Sequence, residues 1–177
     1  MRTNMNTRIN GTNVILVPYQ EKHVTKYHEW MKNPTLQYLT GSEPLTLEQE
    51  FEMQKRWLED KDNAMIGDTN LFLNEPQESC IAEVEIMIAD EASRGKKRGW
   101  ESVILMMCYG IEMLNINKLR AKIKTDNAIS IKIFEKLGFQ EVGKSEVFQE
   151  VTLEKEVSSD WMNWLHSKLQ SITSDSN

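Results

Sequence analysis

Four cationic side chains and two glycines occupy residues 94–99, Arg-Gly-Lys-Lys-Arg-Gly, directly ahead of the apolar stretch 100–114. A helix that starts there leaves its first backbone N–H groups without partners, and such groups attract anions. Glycines beside them let the main chain come close to a pyrophosphate. Arg94, Lys96, Lys97 and Arg98 are the strongest positive point on the chain. Their spacing matches neither GxxxxGK[ST] nor GxGxxG, which argues against a nucleoside triphosphatase or a dinucleotide enzyme. The plain alternatives are a solvated charged turn or a nuclear-import-like basic cluster, and the loop alone does not decide. A second candidate pair is Glu83 and Glu85. Carboxylates on one strand face can take a proton from an amine, directly or through a water. They would equally fit the wetter face of an ordinary sheet.

The elements that must hold these residues follow from hydrophobic period and turn chemistry. Residues 80–90 alternate, with Ala82, Val84, Ile86 and Ile88 on one side and Glu83, Glu85 and Met87 on the other, which predicts a strand. A helix follows over 99–114. Leu119, Ala121 and Ile123 alternate with Arg120, Lys122 and Lys124 in a further strand. The unit 80–125 therefore predicts two parallel strands joined by a right-handed crossover helix. Upstream, 13–18 reads as a strand and 21–32 as a helix stopped by Asn33-Pro34. A second helix begins at a capping box of Thr46 and Gln49, and 65–74 forms a strand. Downstream, 127–138 forms a helix with Ile129, Ile133 and Leu137 on one stripe, closed by Gly138. A hairpin is expected to turn at Gly143-Lys144. A short amphipathic helix carries Trp161, Trp164, Leu165 and Leu169, with a polar end after it. The fold class expected is α+β (mixed α/β), one domain over 13–156, preceded by a lead over 1–12 and followed by a helix and tail over 157–177.

Composition bounds the partners. The 177 residues carry 21 Lys and Arg against 27 Asp and Glu, a net charge of −6. Non-specific binding to nucleic acid or to an anionic membrane is therefore not expected, and no apolar run approaches the ~20 residues of a membrane span. The basic cluster has acidic neighbours and no interleaved aromatics, so it does not read as a nucleic-acid site. Cys80 and Cys108 form no CxxC, and the three histidines lie near neither, so no metal is expected. Reduced thiols and the lack of an apolar leader suggest a cytoplasmic setting, with nuclear entry left open.

With 93–114 upstream of it, the spacing N-x-x-S-x-x-I-F-x-K-x-G-F over 127–139 resembles the GNAT superfamily of N-acetyltransferases. The stretches "SEPLTLEQEFEMQ", "GDTNLFL" and "SEVFQEVTLEKEV" are similar to the eukaryotic N-acetyltransferase 9 subfamily. The resemblance covers about 13–155. It implies acetyl-CoA as acyl donor and direct attack of an amine on its thioester. The acceptor would be an α-amino group or lysine of a protein or peptide, with tubulin among the substrates the subfamily suggests. Arg94, Gly95, Lys96, Lys97, Arg98 and Gly99 would hold the pyrophosphate. Met87, Ile88 and Ala89 would offer the strand edge on which the pantetheine arm pairs, with a β-bulge nearby. Asn127, Ser130 and Phe134 would lie beside the arm and thiol. Glu83 is the first choice for general base and Glu85 the second.

Three departures from the family pattern have consequences. Lys97 stands where the signature carries a glycine able to adopt φ > 0. Phe134 stands where many relatives carry a proton-donating tyrosine, and its own chemistry suits core packing. One strand, not two, is legible between the capped helix and residue 80. An alternative function follows from these losses: a weak or inactive acetyl-CoA-binding scaffold, with Trp161 and Trp164 docking a partner or packing back on the domain.

Overall fold

The computed structural model describes residues 7–55, 65–73 and 80–174. A short antiparallel hairpin, β1 (Ile9–Asn10) and β2 (Ile15–Leu16), opens the chain. Part of the stretch read as a lead thus folds into a strand. α1 (Glu21–Met31) follows, and then α2 (Pro34–Thr40), which the sequence reading took as a stop. Asn33 ends one helix and caps the next by accepting from the Thr35 N–H at 2.9 Å. Pro34 fits the first helical position because it has no N–H to satisfy there. α3 (Leu47–Lys55) begins at the expected capping box: Gln49 accepts from the Thr46 N–H and Thr46 from the Gln49 N–H.

The main sheet has five strands: β3 (Gly67–Leu73), β4 (Ile81–Ile88), β5 (Lys118–Lys124), β6 (Gln140–Ser145) and β7 (Glu150–Glu156). Their order is β3-β4-β5-β7-β6, and β4–β5 is the parallel pair. Among the described residues, β3 is the one strand between α3 and β4. α4 (Arg98–Leu114) makes the crossover, and α5 (Ala128–Lys136) and α6 (Ser159–Ser174) complete the domain.

Period-2 alternation divides the sheet faces. Ala82, Val84, Leu119, Ala121, Ile123, Val151 and Leu153 share a core with Val103, Ile104 and Met107 of α4, Phe134 of α5 and Leu165 of α6. Each fully buried aliphatic side chain there stabilises the fold by about 1.5–3 kcal/mol. The opposite face is polar: Lys122 pairs with Glu83 at 2.8 Å, Arg120 with Glu154 at 2.6 Å, and Lys124 with Glu150 at 2.9 Å. At the C-terminal end of β4 this face is capped by Met31 and Leu36, packed on Met87 and Ala89.

Three details differ from the sequence reading. Ile129 is 77% exposed, and the inward stripe of α5 is carried by Phe134 with Leu137 just beyond it. The final hairpin turns over 146–149, and Gly143 sits at a register shift inside β6, where it resembled a turn residue. α6 runs to Ser174, because Ile172 continues the buried stripe of Trp161 and Leu165 past the stretch read as a frayed end.

Candidate active site

The parallel ladder between β4 and β5 is short. It pairs Ile81–Glu83 with Lys118–Arg120 and stops at Glu83↔Arg120 among the described residues. The Cys80 carbonyl accepts from the N–H groups of Asn117 and Lys118, so its backbone faces β5. Alternation then turns the main chain of Val84, Ile86 and Ile88 toward the opening beyond Glu83. No bulge is needed to free that edge. The register with β3 runs unbroken from Leu73↔Ala82 to Gly67↔Ile88, so the expected bulge is absent there. The strands diverge instead, and an extended ligand arm can add to the exposed edge. Met87 and Ala89 present buried side chains to the α1–α2 cluster.

The loop at residue 94 lies at the mouth of this opening. A 3₁₀ turn, Glu91–Ser93, leads into it. Lys97 caps α4 with φ 59° and ψ 2°, the left-handed conformation its glycine counterpart would adopt freely. The first helical bond runs from the Glu101 N–H to the Lys97 carbonyl at 2.9 Å. The N–H groups of Arg98, Gly99 and Trp100 therefore head the helix with no intrahelical acceptor. Gly99 approaches β4 so closely that a Cβ would lie 3.2 Å from Ile88 Cγ1.

The arginines work differently from the sequence expectation. Arg94 Nε donates to the Ile88 carbonyl at 2.8 Å and Nη2 to the Ala89 carbonyl at 3.2 Å. It ties the loop to the end of β4. Arg98 Nη1 donates to Ser93 Oγ at 2.6 Å, and Ser93 in turn donates to Asp90. Both guanidiniums thus brace the loop, while Lys96 stays exposed. The geometry fits a diphosphate: a left-handed cap, unpartnered helix-head amides, a close glycine and adjacent positive charge.

α5 begins at the C-terminal end of β5. Asn127 Oδ1 accepts from the Ser130 N–H at 3.2 Å, which makes both residues a helix cap beside the opening. Phe134 is placed elsewhere. It is 2% exposed and meets Phe139 edge-on, with ring centroids 5.0 Å apart, so its position is in the core and not beside a ligand arm.

Glu83 and Glu85 share the polar face of β4, as alternation predicts. Their environments differ. Glu83 is held by Lys122. Glu85 is pushed up to about 7, first by burial, then by the negative charges of Glu83 and Asp68, against a smaller opposing effect of Lys122. A carboxyl that titrates near neutrality can both accept and release a proton under ordinary conditions. Across the sheet Asn70 pairs with Glu85, which puts Asp68 and Asn70 on the same face. Asn70 Nδ2 donates to Asp68 Oδ2 at 2.9 Å, and burial raises Asp68 to about 6. Tyr27 of α1 and Glu50 of α3 close over this spot. Burial and the charges of Asp68, Glu50 and Glu85 keep the Tyr27 phenol protonated well above its ordinary range. Sequence reasoning missed Asp68, Glu50 and Tyr27. The polar residues Asp68 and Asn70, two apart in a stretch read as a strand, carried the signal for Asp68. For the helical residues no sequence signal separated them from a packing face.

Among the described residues, no group of three or more His, Cys, Asp or Glu side chains is arranged to hold a metal, and no helix is long and apolar enough to cross a membrane. Trp161 is 8% exposed and its Nε1–H donates to the Leu137 carbonyl at 2.8 Å, so it packs back on the domain and offers no docking surface.

Residues 13–140 match the acetyltransferase (GNAT) domain family. The chain is similar to the Alpha/beta-tubulin-N-acetyltransferase 9 of Drosophila melanogaster, with 46% identity over 192 residues and 96% of each chain covered. It is similarly related to the protein of that name in Homo sapiens, with 45% identity over 187 residues, 93% of this chain and 90% of the relative. The fold is shared with spermidine N-acetyltransferase from Vibrio cholerae, solved in complex with CoA and spermine. That comparison has a TM-score of 0.66 and 18% identity, covering 80% of this chain and 93% of the other.

Proposed function

This chain belongs to the family of GNAT acetyltransferases and is an acyl-CoA-dependent N-acyltransferase, and from that premise we propose that Glu85 is its general base and tubulin its acceptor protein. Acetyl-CoA supplies the acetyl group as a thioester. The amides of Arg98, Gly99 and Trp100 and the positive end of α4 would hold its diphosphate. The free edge at Val84 and Ile86 would align its arm.

An acceptor amine attacks only when neutral, whereas an α-amino group titrates near ~8 and a lysine near ~10. Glu85 would take the ammonium proton, directly or through one water. The observation that carries this choice over Glu83 is the Lys122–Glu83 ion pair, which engages the Glu83 side chain elsewhere. Phe134, in the core, does not protonate the leaving thiolate, which at a pKa of about 8.5 leaves tolerably as an anion. The tubulin assignment rests on the likeness to relatives named as tubulin N-acetyltransferases and on its extent over nearly the whole chain.

The test is to titrate acetyl-CoA onto the protein and then to measure free thiol released on addition of peptides. Peptides copying the amino termini of α- and β-tubulin are compared with acetyl-blocked peptides whose one amine is a lysine. Acetyl-CoA binding with amine-dependent thiol release supports the reading. Binding without release from any amine would remove it in favour of a scaffold.

A further inference from the structure

Near Glu85 lie several buried polar atoms that have no hydrogen-bond partner among the described residues. Glu50 is 1% exposed; its Oε1 meets His28 Nδ1 at 3.1 Å, and its Oε2 has no partner among the described residues. Asp68 Oδ1 and the Tyr19 hydroxyl are likewise buried and unpartnered. Tyr19 and Tyr27 stand edge-on with ring centroids 5.5 Å apart, and the charges of Glu50 and Asp68 act on both. Four elements or segments converge here: the segment before α1, α1 itself, α3 and the β3–β4 pair.

Buried polar atoms are ordinarily bonded, and a buried carboxylate without a counter-charge is costly. The sign of the deficit is informative. Glu50, Asp68 and Glu85 are all acids. Among the described residues, the basic side chains paired with acids here are His28, bonded to Glu50, and Lys122, paired with Glu83. Burial is the first cause of the upward shifts of Asp68 and Glu85, and at Glu85 the neighbouring acids outweigh the one opposing cation, Lys122. A water would supply donors but no charge, whereas a primary ammonium supplies three donors and the missing charge together.

We propose that Tyr19, Tyr27, Glu50 and Asp68 form a cation subsite that receives the acceptor amine as its ammonium ion, next to Glu85. The inference rests on the acetyl-transfer reading above and extends it: the acceptor enters charged, and selection for charge precedes loss of the proton. Asp68 and Glu50 are specificity residues here, and Glu85 is the group that touches the reacting nitrogen.

The experiment uses the full chain and the isosteric variants Asp68→Asn and Glu50→Gln. Acetyl-CoA affinity and the thermal midpoint report folding. Expected is a rise in KM for the peptide amine of about tenfold or more in each variant, as charge-assisted bonds become neutral ones, with acetyl-CoA affinity unchanged. Ethylammonium chloride should compete with the peptide amine in the wild type and lose about the same factor in the variants, while ethanol should not compete. Unchanged KM in both variants, with wild-type turnover intact, overturns the subsite but leaves the acetyltransferase reading standing. If the wild type turns over no amine, that reading fails, and the subsite is judged by binding alone. Ethylammonium should then raise the thermal midpoint of the wild type more than that of Asp68→Asn, and equal shifts overturn it. If one variant fails to bind acetyl-CoA, the other and the ethylammonium competition decide.

Discussion

Replacing Lys97 with glycine should leave the protein more stable than replacing it with alanine, although both delete the same side-chain atoms beyond Cβ. Lys97 holds φ 59° and ψ 2° at the cap of α4. A residue with a Cβ is disfavoured in that region by about 1–2 kcal/mol, because Cβ crowds the following carbonyl. Glycine removes the crowding but gives the unfolded chain more freedom, which offsets about 0.4–1 kcal/mol. The net gain over an alanine at the same position is about 0.5–1 kcal/mol, or roughly 1–4 °C in thermal midpoint for a domain of this size. Lys97→Ala is the necessary control, since it removes the same side-chain atoms and charge while keeping the Cβ. The assay is thermal unfolding of wild type, Lys97→Gly and Lys97→Ala in parallel, with and without CoA. The glycine variant should unfold above the alanine variant in both conditions, and should bind CoA at least as tightly as alanine does, because both have lost the same charge. Equal midpoints for the two variants would refute the strain argument. They would mean that the loop relaxes out of the left-handed conformation at no cost.

Three further outcomes follow from the same geometry. Glu85→Gln should lower kcat by about 10²–10⁴-fold with little change in acetyl-CoA affinity, whereas Glu83→Gln, which frees Lys122, should cost less; steady-state kinetics on both variants checks the order. Because folding raises Asp68 and Glu85 to about 6 and about 7, the folded chain holds more protons than the unfolded one between about pH 4 and 7. The contribution of these two groups to stability is therefore present at low pH and lost as pH rises through their folded values; urea midpoints across that window should fall less steeply in Asp68→Asn than in wild type. At Gly67, a Cβ would lie 2.0 Å from the Met87 carbonyl oxygen, so Gly67→Ala should destabilise by about 1–3 kcal/mol through displacement of the β3–β4 pair, read as a lower urea midpoint.

Much of this fold was legible because its patterns are local. Ala82, Val84 and Leu119 alternate with charges, and the residues after Arg98 repeat at helical period, so the β4–α4–β5 unit could be drawn from the sequence alone. Gly143 misled because a glycine serves a bulge as readily as a turn, and Pro34 misled because the same ring that ends a helix can begin one. The loop at residue 94 lies directly ahead of α4, as its spacing suggested, but nothing in Arg-Gly-Lys-Lys-Arg-Gly says that Arg94 will reach back six residues to the Ile88 carbonyl. Those bonds are long-range only in space, and they depend on where β4 ends.

The same limit explains the choice between Glu83 and Glu85. In sequence they are two glutamates on one strand face, with the same neighbours in kind. Their difference comes from two different strands. The parallel register with β5 ends at Glu83↔Arg120, and Lys122 reaches Glu83 from there. The antiparallel register with β3 sets Asn70 opposite Glu85 and Asp68 two residues along on the same face. One carboxylate therefore receives a cation and the other an acid for a neighbour. Sliding β3 by one residue against β4 would turn Asp68 to the core face and leave Glu85 with its burial and Glu83 but without the second acid that raises it, which narrows the distinction. The chemistry proposed for this site thus depends on strand register, a property that belongs to the sheet and to no single motif.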